Sequence, residues 1–326
     1  LEFRRVLFRS LNDDLGTTKI ELPIDADLEG VWKDQAFAIL RSDWMGSPKG
    51  SLIALNLSSN AKTDVFIPNA KSSIMDVAFS STHLLLTIQE DVVDKVMRGV
   101  LNENTWVLED LRLPQGGTIS IYGADPLNAN FFYTFNDLIT PTTLGYFEDA
   151  MADPIVIRQS PARYDSENLE VNQKFATSKD GTKIPYFLVS RKDVPLDGNN
   201  PTLLYGYGGF EVSEKSQYWS KTGKLWMEKG GVFALANIRG GGEYGPSWHQ
   251  AALKTNRHKS YDDFIAIAEQ LISSGITTPK KTRYHGRQWR RPPGRSCLYA
   301  PTKSIQCGSG SSPTPGYAEQ IGRASC

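Results

Sequence analysis

Two short apolar runs that each stop abruptly in glycines restrict what this chain can fold into more than anything else in it. Residues 203–210 read LLYGYGGF, and residues 230–245 read GGVFALANIRGGGEYG. Each run suits one strand buried on both faces, and each ends where backbone has to approach something closely. A helix-length segment separates them, so together they read as a βαβ unit. The glycines then gather at one edge of a parallel sheet, the edge at which such sheets bind ligands.

Residues 32–159 carry a different pattern, short apolar or alternating runs broken by Gly, Pro, Asn and Asp, which reads as all-β. The runs QAFAILR, HLLLTIQ and NFFYTFN recur at an interval of 47, at Phe37, Leu84 and Phe131. Each is followed by a second strand (SLIALNL, KVMRGVL, TLGYFED) and a third (TDVFIP, WVLEDL, PIVIRQ), with SIMDVAF and TISIYGAD closing the first two repeats. A period of this size with four strands per unit predicts propeller blades, which bury their faces only against their neighbours. About three blades fit, and a β-sandwich is the alternative that strand spacing leaves open.

A polar, turn-rich stretch at 154–168 reads as a linker. Two strands then flank Asp180-Gly181 within 169–189, a hairpin signal that suits either the start of the second sheet or one more propeller pair. Strands are expected at 202–205 and 232–236. Between them lies a helix over 221–229, with Leu225 and Trp226 packed and Gly230 ending it. A stronger helix begins at Ser260 as N-cap, places Asp262 and Asp263 in its first turn, and turns Phe264, Ile267, Ala268, Leu271 and Ile272 to one apolar face before Gly275.

Four segments, SKDGTKIPYFLV (178–189), LLYGYGGF (203–210), ANIRGGGEYG (236–245) and SYDDFIAIAEQLI (260–272), give the chain a resemblance to the prolyl oligopeptidase family of serine peptidases. The likeness covers residues 168–281 and stops at Thr282. It implies a partial β-propeller of about three blades at 11–160, from a ring of seven in the family. It also implies the N-terminal part of an α/β-hydrolase domain at 161–281. The implied activity is serine-type hydrolysis of short peptides through an acyl-enzyme, with cleavage after proline as the candidate specificity and the propeller limiting access. By the same resemblance, the Tyr207 hydroxyl stabilises the oxyanion and Phe210 lines the apolar pocket for the residue before the scissile bond. The family uses no cofactor. On spacing alone Tyr207 reads first as an ordinary half-buried tyrosine, and only the whole YGYGGF match turns the reading to the oxyanion role. Two other classes compete: a propeller serving only as a protein-binding platform, and a hydrolase of non-peptide esters or lipids.

Other residues point to less. RGGGEYG lacks the Lys-Ser/Thr of a phosphate-binding loop, and its glycines read instead as allowing tight packing under the sheet edge. Arg239 and Glu243 are expected to form a structural ion pair. His249 and His258 lack a carboxylate or cysteine at ligand spacing and read as surface residues, so no metal site is expected.

Both ends look foreign. Residues 1–10, LEFRRVLFRS, and 321–326, IGRASC, resemble translated sequencing adaptor and are set aside. Three of the 36 Lys and Arg residues lie in 1–10 and seven follow Lys281, leaving 26 against 34 Asp and Glu once Glu2 and Glu319 are set aside. The body is therefore acidic by about eight charges and carries no basic footprint for nucleic acid. All three cysteines, Cys297, Cys307 and Cys326, fall after Lys281, so the body has no disulfide framework. No apolar run reaches the length of a membrane span, so no membrane partner is expected. The cytoplasm and the periplasm both suit such a chain, and composition carries nothing on oligomeric state.

Acyl transfer by serine needs a nucleophile on a strained strand-to-helix turn, a base, an orienting carboxylate and oxyanion donors. No G-x-S-x-G occurs anywhere in the 326 residues. From Thr282 to residue 320 the sequence is rich in Arg, Pro and Gly without periodicity, and no buried strand is expected there. Deleting one nucleotide just after Lys281 permits a frame reading LGI, Met or Thr, GG, Ser or Asn, GGGLLVG, which resembles the family's fifth strand and nucleophile turn. Residues 282–320 are therefore expected to be a frameshifted tail, and the chain as written is expected to be inactive, with the family's nucleophile, Asp and His all missing from it.

Overall fold

A computed structural model of the chain describes residues 9–11, 17–103, 105–124, 127–149 and 153–286. Most of the adaptor-like start, the tail from residue 287 and all three cysteines lie outside the described residues. The chain separates into two units. One comprises residues 1–136, 142–160 and 244–246, and the other residues 137–141, 161–243 and 247–326.

The first unit contains three four-stranded antiparallel sheets of meander order. The first sheet is β1 (Asp27–Trp32), β2 (Gln35–Ile39), β3 (Leu52–Asn56) and β4 (Lys62–Phe66). The second is β5 (Ser72–Phe79), β6 (Leu84–Glu90), β7 (Val93–Asn102) and β8 (Thr105–Asp110). The third is β9 (Thr118–Tyr122), β10 (Phe131–Asn136), β11 (Thr143–Phe147) and β12 (Ile155–Gln159). These are three propeller blades, as the repeat predicts. A separate hairpin pairs Arg9–Leu11 with Thr17–Lys19.

The recurring apolar run is the second strand of each blade, and its unbroken apolarity has a plain cause. Successive residues of a strand point to opposite faces, and both faces are covered. Leu84, Leu86 and Ile88 of β6 join Trp32, Phe37, Leu52 and Trp106 in the core between the first two blades. Leu85, between them, faces the third blade with Ile119, Phe131, Tyr133 and Phe147. The blade phase differs from the sequence reading by one strand. SIMDVAF is not the last strand of the first blade but β5, the first of the second, because it pairs with β6 across the tight turn at 80–83. Phe79 at its end packs against the preceding blade instead, with ring centroids 5.9 Å from Trp32 and 5.0 Å from Phe37.

The second unit holds one five-stranded sheet, built from β13 (Leu169–Thr177), β14 (Lys183–Arg191), β15 (Thr202–Gly206), β16 (Val232–Ala236) and β17 (Thr282–Gly286). Its spatial order is β13-β14-β16-β15-β17. β13 and β14 form the antiparallel hairpin around Asp180-Gly181, whose Gly181 takes φ +87°, as a tight turn demands. β15 runs parallel to both β16 and β17. Every residue of β16 is buried, which accounts for the run VFALA. Helix α1 (His258–Ser273) turns Phe264, Ile267, Ala268 and Leu271 inward, and Gly275 ends it at φ +75°.

Three local expectations change. The segment between β15 and β16 forms only a short helix, Ser220–Thr222 continued by a π-turn at Gly223–Met227. Leu225 is 69% exposed while Met227 is buried; the wider π-turn shifts which residues face inward. α1 starts two residues before Ser260, so Ser260 is not its N-cap; its buried hydroxyl donates to the Arg239 carbonyl at 2.5 Å. Finally, Thr282–Gly286 does form a strand. It lies at the sheet edge and alternates buried Thr282 and half-buried Tyr284 with exposed Arg283 and His285, a pattern that polar residues satisfy there.

Candidate active-site edge

β15 and β16 are parallel neighbours, so the loops leaving their carboxyl ends lie side by side. The β15 loop carries Tyr207, Gly208, Gly209 and Phe210, and the β16 loop carries Asn237 to Glu243. Gly208 and Gly240 form the contact between them. A Cβ at Gly208 would lie 2.6 Å from the Arg239 carbonyl oxygen, and one at Gly240, whose φ is +100°, would lie 2.5 Å from the Gly208 oxygen. Glycine is thus required at both for close packing of the two loops.

Tyr207 is 8% exposed and its ring folds beneath Gly209, where an added Cβ would sit 3.6 Å from Cζ and 3.7 Å from the hydroxyl. Phe210 is 75% exposed. Phe210 and Glu211 both adopt left-handed backbone, with φ of 53° and 58°. Two consecutive non-glycine residues in this region cost about 1–3 kcal/mol each and persist only where surroundings impose them, a condition that clusters at functional sites. The surroundings here are specific. The Glu211 N–H reaches the Gly240 carbonyl at 3.3 Å, Val212 N–H donates to Gly209 O at 3.1 Å, and the Arg257 guanidinium donates to the Gly208 carbonyl.

Arg239 does not pair with Glu243. Its side chain is almost wholly buried and forms a bidentate pair with Asp263, Nη2 to Oδ1 at 2.6 Å and Nε to Oδ2 at 2.9 Å. It also reaches Asp180 Oδ2 at 2.6 Å. Ser178 Oγ donates to Asp263 Oδ1 at 2.6 Å, and the Arg239 backbone N–H donates to Oδ2 at 3.0 Å. One guanidinium thereby ties the β13–β14 hairpin, the β16 loop and α1 together. Asp263 lies in the second turn of α1 with no exposed side-chain surface, not at its start. The sequence held a signal for this: Asp263 shares the helix face of Ser260, Phe264 and Ile267, and a carboxylate on an apolar face needs a buried cation. The Arg239 guanidinium beside Asp180 holds that carboxyl well below the usual carboxylate range.

Glu243 is buried completely, and its carboxyl is pushed up to about 8, first by burial and further by the nearby Glu214 charge. Its Oε1 accepts from the Glu214 backbone N–H at 3.1 Å and from Asn237 Nδ2 at 3.4 Å. Glu214 in turn accepts from the Tyr205 hydroxyl at 3.2 Å. Glu243 thus anchors the far end of the β15 loop at Glu214. Its burial was not legible in the sequence, where it sits in a glycine-rich, polar-looking run. His258 is exposed, whereas His249 is half-buried against Gly240. Among the described residues no three His, Cys, Asp or Glu side chains gather as a metal site. No helix among them is long and apolar enough to cross a membrane.

Comparison with known proteins finds relatives of this chain among peptidases. Residues 16–155 match the family model for the prolyl oligopeptidase N-terminal beta-propeller domain, and residues 217–287 match that of the prolyl oligopeptidase family. The second match runs past Thr282, in keeping with β17. An uncharacterized peptidase of Sinorhizobium fredii, y4nA, is 41% identical over 271 residues, covering 79% of this chain and 37% of its own length. A prolyl endopeptidase of Elizabethkingia meningoseptica is 34% identical over 216 residues, covering 66% of this chain and 30% of that protein. The structure of a post-proline cleaving enzyme from Rickettsia typhi superposes with a TM-score of 0.74 at 34% identity, covering 84% of this chain and 41% of that one. The chain spans less than half the length of each of these relatives.

Proposed function

The chain belongs to the prolyl oligopeptidase family, and on that premise we propose that its gene encodes a serine peptidase hydrolysing short peptides, with proline before the cleaved bond. The reading is carried by the β15 loop: a strained, multiply anchored turn at the carboxyl edge of a β13-β14-β16-β15-β17 sheet. In hydrolases of this fold one oxyanion donor comes from the loop after the third strand. Tyr207 and Phe210 stand on that loop, Tyr207 as the hydroxyl donor to the oxyanion and Phe210 as the exposed apolar wall receiving the side chain before the scissile bond. The named prolyl endopeptidase and post-proline cleaving enzyme among its relatives support the specificity.

The 326 residues as written perform no acyl transfer in this account, because G-x-S-x-G is absent from them. Without nucleophile and base only the weak rate enhancement of oxyanion donors and binding remains. Labelling with a fluorophosphonate probe, alongside hydrolysis of a fluorogenic prolyl peptide, tests both halves. The chain as written is expected to show neither, while the full-length enzyme read from genomic DNA shows both. Labelling of the chain as written, or no turnover from the full-length enzyme, contradicts the proposal.

A further inference from the structure

His249 stands against the turn that the proposed oxyanion loop depends on. Its Nδ1 lies 2.7 Å from the Gly240 carbonyl oxygen and 3.1 Å from the Glu211 backbone nitrogen. One ring nitrogen cannot donate to a carbonyl and accept from an amide at once. A lone pair facing the carbonyl oxygen at 2.7 Å would be repulsive, so the proton belongs on Nδ1 and points to Gly240. The Glu211 N–H then uses the same carbonyl, 3.3 Å away. Gly240 is also held from its other side, since its own N–H donates to the Trp248 carbonyl at 3.1 Å. Residues 248 and 249 thus clamp Gly240 by both of its backbone groups, and Gly240 is the residue on which Gly208 packs.

We propose that His249 is the positioning residue of the β15 loop: its Nδ1–H fixes the Gly240 carbonyl, and that carbonyl fixes the left-handed turn at Phe210 and Glu211. The role of the loop in catalysis rests on the peptidase reading above. The hydrogen bond itself does not, so it is tested without turnover.

The measurement is amide hydrogen exchange on the full 326-residue chain, comparing peptides that span the β15 loop with peptides from buried β16. His249→Ala is expected to raise exchange at Glu211 about tenfold, the effect of losing one hydrogen bond of ordinary strength, with β16 unchanged. His249→Asn places an amide N–H near the former Nδ1–H and is expected to return exchange to within about threefold of wild type. Unchanged exchange in His249→Ala, or His249→Asn exchanging as fast as His249→Ala, overturns the proposal. Should His249→Ala fail to fold, ¹⁵N NMR of labelled histidine in the wild-type chain decides. A protonated Nδ1 with an unprotonated Nε2 supports the assignment, and the opposite tautomer overturns it. Loss of the oxyanion role of Tyr207 in the full-length enzyme would sink the peptidase reading and leave these outcomes untouched.

Discussion

Arg239, Asp263 and Asp180 show how much one buried charge decides. Removing one partner of a buried pair leaves the other charge uncompensated, at a cost of about 3–5 kcal/mol. Asp263→Asn is therefore expected to lower unfolding free energy in urea by that amount, and Asp180→Asn, whose side chain is 40% exposed, by distinctly less. The depressed Asp180 carboxyl contributes stability that is in place above its unfolded value of about 3.9 and is lost as pH falls through the folded value. Glu243 works in the opposite direction. Its carboxyl keeps a proton up to about 8 in the folded chain, whereas the unfolded chain releases it near 4.3. Stability is thus expected to fall as pH rises between these values and then to level off. Glu243→Gln removes that slope and stabilises the chain at neutral pH; parallel unfolding curves for the two proteins across pH 4–8 would refute the assignment.

At the scale of elements, the blades are joined by apolar cores and by polar contacts, among them a strap at Asp94. The Asp94 carboxylate, at the start of β7, accepts from Gln89 Nε2 at 2.9 Å and from the Ile119 N–H of the third blade at 3.1 Å. Asp94→Ala leaves that buried N–H unsatisfied and is expected to cost about 1–3 kcal/mol in chemical denaturation, with Asp94→Asn milder because it keeps an acceptor. In the other unit, Leu271→Ala on the buried face of α1 is expected to cost about 2–5 kcal/mol. These elements differ in how far sequence exposed them. The recurrence of Phe37, Leu84 and Phe131 revealed three blades, because stacking imposes apolarity on both faces of the second strand. It did not reveal where each blade begins, since strand pairing is decided by turn geometry at 80–83 and not by composition. α1 was legible from its period, but its start was not: Ser260 resembles a cap and is in fact drawn inward by the Arg239 carbonyl. The five-residue β17 was hidden because edge strands accept polar residues.

For the molecule as a whole, the fold agrees with that of the relatives. The body is acidic, it divides into a three-bladed unit and an α/β unit, and its two family matches fall in the corresponding segments. Tyr207 and Phe210 were singled out only through YGYGGF, and the structure adds the strained turn at Phe210 and Glu211 and its anchors. The measurement that tests the central claim most directly is kcat/KM on a fluorogenic prolyl peptide for Tyr207→Phe, made in the full-length enzyme read from genomic DNA. Loss of one oxyanion donor predicts a fall in kcat of about 10²–10³-fold with KM little changed. Activity within threefold of wild type would contradict the account.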